Sequence, residues 1–342
     1  MKPTTIKDIA KKLGISHTTV SRAINDHPST SRKTKNRVRK AAEAMSYSPN
    51  MAARGLAMGK SESIAFMSTR FAAPFISNVL DSFEQRAFYT KRYVHGIMPY
   101  STRNEESVKE ALLKQILRGR NADALVMLTI KPNERILAEY NRVKIPVILI
   151  ENSMKGAHSI MVDNVSGAGK AAEYFIKTGR KNIGMIVGEI VQPPSHDLNM
   201  SAVERKKGFK SALLDHGFEL PNRNIEETHA YIYEEGKRSL DNFIKKGDRL
   251  DAIFCAAGDI VAMGVLERAK ELGIKIPEDI AVIGYDDILA ATHLDPPLTT
   301  VRQPLEGIGI MAFDLAIEAI EGKLKEDKHI KIDPELIIRK SA

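Results

Sequence analysis

The segment TIKDIAKKLGISHTTVSRAIN spans residues 5–25 and carries two short helical patterns separated by a glycine. Thr5 with Asp8 three residues later is a capping pattern for a first helix, and Ile6, Ile9, Ala10 and Leu13 recur on one face of it. Gly14 supplies the positive φ that a tight turn needs, and Ile15 can bury between the helices. Ser16 is a good N-cap for a second helix, His17 to Asn25, whose Val20, Ala23 and Ile24 face inward. That leaves His17, Thr18, Ser21 and Arg22 outward. Short polar groups beside one arginine able to fork onto a guanine edge suit a helix lying in a DNA major groove. A third helix, about Arg32 to Met45, places Val38, Ala41, Ala42 and Met45 on one face. Arg32, Lys33, Lys35, Arg37, Arg39 and Lys40 surround its N-terminal half, where they can neutralise phosphates.

Charge separates this segment from the rest of the chain. The 342 residues carry a net charge of +8, yet residues 1–60 hold 13 Lys and Arg against 3 acidic residues, and the remainder is close to neutral. A small basic unit on a near-neutral body implies a polyanion-binding head attached to a body with a different task. Cys255 is the single cysteine, which excludes a disulfide framework and a Cys-rich zinc module and fits a reducing compartment, so the cytoplasm is expected. The N-terminus lacks the apolar core of a signal peptide, and no apolar run approaches the ~20 residues of a membrane span, so no membrane partner is expected.

From Ser63 onward, short apolar runs alternate with amphipathic helical stretches. The runs include 63–68, 93–98, 124–129, 146–150, 182–187, 252–256 and 280–284; helical stretches include 104–117, 167–177, 202–214 and 259–272. Such alternation implies an α/β body with parallel sheets covered by helices. About ten elements exceed one small sheet, which predicts two lobes with a cleft where strand ends face each other.

TIKDIAKKLGISHTTVSRAIN, followed by YSPNMAARGLAMGKS at 47–61, closely resembles the lactose-repressor/galactose-repressor family of bacterial transcription regulators. The resemblance extends over the body, which is similar to the periplasmic-binding-protein-type fold of that family, most specifically at residues 256–304. It implies a helix-turn-helix domain at 1–48, a hinge helix at 49–60, and an effector-binding and dimerisation core at 61–342. Within the core the lobes are expected at 61–163 with 292–326, and at 164–291 with 327–342. Crossings then fall near 162–164, 289–293 and 325–328, with Pro296-Pro297 beginning the return to the first lobe. The hinge segment is short and contains Gly55, so it is marginal as an isolated helix and suited to ordering on DNA. By the resemblance it pairs with a second copy in the minor groove, Leu56 is the wedge at a central base step, and Asn50 and Ala53 share its face.

An interlobe ligand needs charged and amide groups with an apolar wall. The resemblance implies Arg205 as the main charged clamp, Asp286 as acceptor, Glu151 at a strand end, Gln303 beside them and Phe75 as the wall. One departure stands out: where sugar-binding members usually read Asn-Asp, this chain reads Gly258-Asp259. Trp is absent as well, which removes a frequent stacking platform. Sugars and their derivatives lead the effector classes, with nucleobases and sugar phosphates behind them.

No catalytic constellation is present, and no cofactor or metal is expected. Gly169-Lys170 lacks both the spacing of a phosphate loop and the hydroxyl that would follow the lysine. The nine histidines lack zinc spacing. The expectation is a sequence-specific regulator, a repressor, binding a pseudopalindromic operator on double-stranded DNA as a homodimer under a small-molecule effector. Alternatives are a carbon-catabolite regulator controlled by a phosphorylated carrier protein, and a sugar-transport binding protein sharing the core fold.

Overall fold

The computed structural model describes residues 4–24, 26–47, 61–192, 197–247 and 249–342. It divides into two compact units, residues 1–61 and 62–342.

The first unit is a three-helix bundle of α1 (Ile6–Leu13), α2 (His17–Ile24) and α3 (Arg32–Ala44). Thr5 and Asp8 form a reciprocal capping box on α1, and Gly14 closes the helix at φ 63°. Ser16 caps α2 by accepting from Thr19 N at 3.0 Å. Ile9, Ala10, Val20, Ala23, Val38 and Ala41 are buried as one core.

The second unit contains two six-stranded sheets. The first runs β13 (His329–Ile332), β5 (His158–Val162), β4 (Val147–Ile150), β3 (Ala124–Leu128), β1 (Ile64–Ser68), β2 (Ile97–Ser101), all parallel. The second runs β14 (Glu335–Ile337), β12 (Thr299–Arg302), β11 (Ala281–Asp286), β10 (Ala252–Cys255), β6 (Ile183–Gly188), β9 (Ile225–Thr228), parallel except for β14. A short hairpin joins β7 (Val191–Gln192) to β8 (Asp197–Leu198). Strands β1, β3, β4, β6 and β10 are buried along their whole length, which explains why they read as continuous apolar runs rather than alternating ones.

Helices cover both faces of each sheet. In the first lobe, α4 (Pro74–Thr90) lies on one face and α5 (Glu106–Gly119) and α6 (Glu134–Arg142) on the other. In the second, α7 (Asn164–Lys177) and α8 (Met200–Asp215) share one face, and α9 (Tyr233–Lys245) and α10 (Asp259–Glu271) the opposite one. The last helix, α11 (Leu305–Ile320), returns to pack beside α4, with Phe83 and Phe313 edge to face at 5.3 Å.

Two of the three expected crossings are displaced. The first, at 163–164, follows β5 as expected. The second lies near 303–304 rather than 289–293, because β12 pairs in parallel with β11 (Ile283 opposite Thr299) and so belongs to the second sheet. Pro296-Pro297 leads into that strand and does not begin the return. The third lies at 333–334 rather than 325–328, because β13 pairs with β5 in the first sheet while β14 joins β12 in the second.

Candidate functional site

On the helical unit, His17, Thr18 and Arg22 are exposed and Ser21 is half-buried, while Val20 and Ala23 between them are buried. The two turns of α2 thus expose His17, Thr18 and Arg22, with Ser21 half-buried beside them. The basic residues of α3 divide into two sets. Arg37 Nη2 donates to Leu13 O at 2.8 Å, closing the end of α1. Lys35 and Arg39 pair with Asp26 at 3.0 and 3.3 Å, holding the turn before α3. Arg32, Lys33 and Lys40 are exposed. Asn50, Ala53 and Leu56 lie outside the described residues.

In the larger unit, the site forms where the ends of β4, β11 and β12 approach the first turns of α7 and α8. Glu151 follows β4 with φ 60° and is buried. Its Oε1 accepts from Val162 N at 2.8 Å, and its Oε2 accepts from Asn164 Nδ2 at 3.0 Å and Ser201 Oγ at 2.8 Å. Asn164 passes the network on: its Oδ1 accepts from Arg205 Nε at 2.7 Å and from Tyr285 Oη at 3.1 Å. Arg205, 8% exposed, also donates through Nη1 to Ala256 O at 2.9 Å, and its guanidinium lies 3.7 Å from the Tyr285 ring centroid. No ion pair joins Arg205 to Asp286 among the described residues; each is held by its own neutral partners.

Asp286 ends β11 and accepts from Gln303 Nε2 at 2.6 Å. Burial pushes its carboxyl up to about 6, against the opposing pull of Arg205 and the Gln303 hydrogen bond. Gln303 is 2% exposed, and its Oε1 has no hydrogen-bond partner among the described residues. A buried acceptor in this state is costly and is relieved by a donor arriving from outside.

Glycine at 258 fits the local backbone, which has a φ that L side chains rarely adopt. Gly258 has φ 113°, and a Cβ there would fall 2.9 Å from Asp286 Oδ2. Asp286 occupies the space that a side chain at 258 would need.

The structure therefore brings Glu151, Arg205, Asp286 and Gln303 to one place. Phe75 is half-buried against the first-lobe core, and no ring contact joins it to the network among the described residues. Sequence reasoning missed Asn164, Ser201 and Tyr285, which link the expected residues, and Tyr231. Tyr231 is 47% exposed and accepts a hydrogen bond from Asn199 Nδ2, and its hydroxyl packs against Gly188 at the end of β6. Tyr285 and Asp286 adjoin within GYDD, a signal that was legible; Tyr231 had none.

Ser166 to Lys170 forms the start of α7, capped by Asp163, and Lys170 pairs with Asp333 at 2.7 Å. It is not a phosphate loop. Cys255 is fully buried, and burial pushes its thiol up. Among the described residues no group of side chains could hold a metal ion, and no helix is long and apolar enough to cross a membrane.

Fold and site together define a class: a helix-turn-helix regulator whose body is built like a periplasmic binding protein. The sequence pattern of bacterial regulatory proteins of the lacI family matches residues 5–50, and that of the periplasmic binding protein-like domain matches residues 172–342. The HTH-type transcriptional repressor PurR of Serratia proteamaculans (strain 568) is 32% identical over 98% of this chain and 96% of its own length. The chain belongs to the lacI family, a family of transcription regulators rather than enzymes. Two solved structures share the fold. One is the lac repressor dimer bound to operator and the anti-inducer ONPF, with TM-score 0.84, 23% identity and 99% of each chain covered. The other is the transcriptional regulator CelR-cellobiose complex, with TM-score 0.72, 24% identity and coverage of 99% of this chain and 100% of that one.

Proposed function

We propose that this protein is a cytoplasmic transcriptional repressor that binds a pseudopalindromic operator as a homodimer and takes a small effector, a sugar or sugar derivative, between the two lobes of its core. The observation that carries the effector reading is the orphaned Gln303 Oε1, buried beside the Asp286 carboxyl. A hydroxyl-rich ligand supplies donors to both. Arg205 Nη2, which takes no part in the arginine's hydrogen bonds to Asn164 and Ala256, is the group we assign to a ligand oxygen. Glu151 braces the arginine through Asn164, and Phe75 and Tyr231 are the apolar walls. The similarity to a cellobiose-bound regulator supports a carbohydrate-like ligand.

On the DNA side, His17, Thr18, Ser21 and Arg22 are the major-groove contacts, and Asn50, Ala53 and Leu56 the minor-groove contacts of the hinge. One such head reads only a few base pairs, so two heads on a two-fold axis are required for a specific site. The effector acts by binding one of two lobe arrangements better than the other.

Selection of bound sequences from a random DNA pool, repeated with a metabolite library, tests this. The expected result is a pseudopalindrome spanning roughly one and a half to two helical turns, with operator affinity altered by a carbohydrate. Sequence-indifferent binding contradicts the DNA reading, and an effect confined to other metabolite classes contradicts the ligand reading.

A further inference from the structure

Asp286 stands in a backbone conformation that aspartates rarely adopt. Asp286 and Asp287 have φ of 115° and 58°. A left-handed pair of this kind persists only where its surroundings hold it in place. Two hydrogen bonds grip its ends. Gln303 N donates to Asp286 O at 3.3 Å. Ile288 N, immediately beyond the pair, donates to Asp259 Oδ2 at 2.9 Å.

Asp259 is fully buried at the start of α10. Its other oxygen accepts from Thr300 Oγ1 of β12 at 2.6 Å, and its carboxyl lies so close to Gly284 of β11 that a Cβ there would overlap it. One side chain thereby ties a helix start and two strand ends around the Asp286 turn. The other groups facing Asp286 do different work. Arg205, Glu151 and Tyr231 interact with its charge, as does the Asp259 carboxyl itself, a like charge when ionised. Asp287 is committed to Arg302 and Arg339, each at 2.6 Å. None of these groups except Asp259 holds the Ile288 end.

We propose that Asp259 is a positioning residue of the effector site: by holding Ile288 N it fixes the left-handed Asp286–Asp287 turn and so aims the Asp286 carboxyl at Gln303. Asp259 touches no effector itself. The proposal rests on Asp286 being an effector contact, but its test uses no effector, so the two can fail separately.

The test is a carbon-13 NMR titration of the full-length protein labelled at aspartate carboxyls, with the Asp286 signal assigned through Asp286→Asn. The wild-type midpoint is expected at about 6. Asp259→Ser keeps a short polar group at the helix start but cannot reach Ile288 N. Its Asp286 midpoint should fall by about one unit or more, towards the ordinary value near ~4, as the freed turn lets the carboxyl reach water and relief of burial, the largest influence on it, outweighs the lost Gln303 hydrogen bond. Asp259→Asn retains an oxygen for Ile288 N but removes the neighbouring carboxyl whose charge interacts with Asp286, so it reports that electrostatic change alone and should move the midpoint less than Asp259→Ser. An unmoved midpoint in Asp259→Ser, equal shifts in both variants, or a wild-type midpoint already near ~4 overturns the proposal. Should Asp259→Ser fail to fold by circular dichroism, Thr300→Val is read in the same titration. It removes the other hydrogen bond that orients Asp259; a lowered midpoint supports the proposal and an unchanged one overturns it.

Discussion

Glu151, at the end of β4 in the first lobe, accepts a hydrogen bond from Ser201 Oγ in the first turn of α8, which belongs to the second lobe, at 2.8 Å. The same carboxylate holds Asn164, and Asn164 holds Arg205 and Tyr285. A ligand that moves Arg205 therefore acts on a network that already spans both lobes. Buried polar networks of this kind are stabilising when complete and costly when one member is removed.

Glu151→Ala strips the acceptor from Val162 N, Asn164 and Ser201 at once. We expect a loss of roughly 3 kcal/mol in unfolding free energy by urea titration, since several buried donors lose their partner. Glu151→Gln, which keeps one oxygen, should lose less. Equal stability of Glu151→Ala and wild type would remove the bracing role.

Arg205→Ala should abolish the effector response and leave operator binding intact. Arg205→Lys should fail almost as fully, because a single ammonium cannot serve Asn164, Ala256 O and a ligand in the fixed directions of a guanidinium. Fluorescence anisotropy on labelled operator, with and without the metabolite found by the library screen, reads both variants. A normal response in Arg205→Ala excludes it as the clamp.

The pH dependence has a definite sign. Asp286 has a folded-state value raised to about 6, so its contribution to stability is complete below the unfolded-state value and is lost as the pH rises through about 6. Asp286→Asn should therefore gain thermal stability over wild type at pH 7.5 and show little difference at pH 4, measured by melting curves. Ligand hydroxyls prefer the ionised carboxylate, so effector affinity should rise across the same interval. A melting difference independent of pH would contradict the assignment.

On the helical unit, Arg22→Ala should lower operator affinity by about 1–3 kcal/mol and relax specificity at one position of each half-site. Lys33→Ala should instead weaken binding evenly across sequences and reduce the salt dependence. Arg37→Ala is predicted to act on stability as well as affinity, because its guanidinium closes α1. The pattern is read by binding selection at two salt concentrations; identical profiles for Arg22→Ala and Lys33→Ala would refute the division of labour.

The helical unit was legible because its determinants are local. The Thr5–Asp8 box, Gly14 and the Ser16 cap each lie within a few residues of what they control. The second and third lobe crossings were not, because they depend on which sheet β12 and β13 join. An edge strand such as β13 is chosen by pairing with β5, about 170 residues earlier, and leaves no local mark. The site was half legible for the same reason. Arg205 and Asp286 carry the charge that draws notice. Asn164 looks like an ordinary helix start until Arg205 and Tyr285 converge on its oxygen. Asp259 looks like a first-turn acidic residue until it is seen to hold Ile288 and Thr300.

The most direct test of a DNA-reading head governed by a ligand-binding core is the operator affinity of the full-length protein with and without its selected metabolite, in wild type and in Gln303→Ala. The account predicts tight, salt-sensitive, sequence-specific binding in both proteins, with a metabolite response in wild type that falls at least about tenfold in Gln303→Ala, where the orphaned acceptor is gone. An undiminished response in Gln303→Ala, or an absence of sequence-specific operator binding by wild type both with and without metabolite, would contradict it.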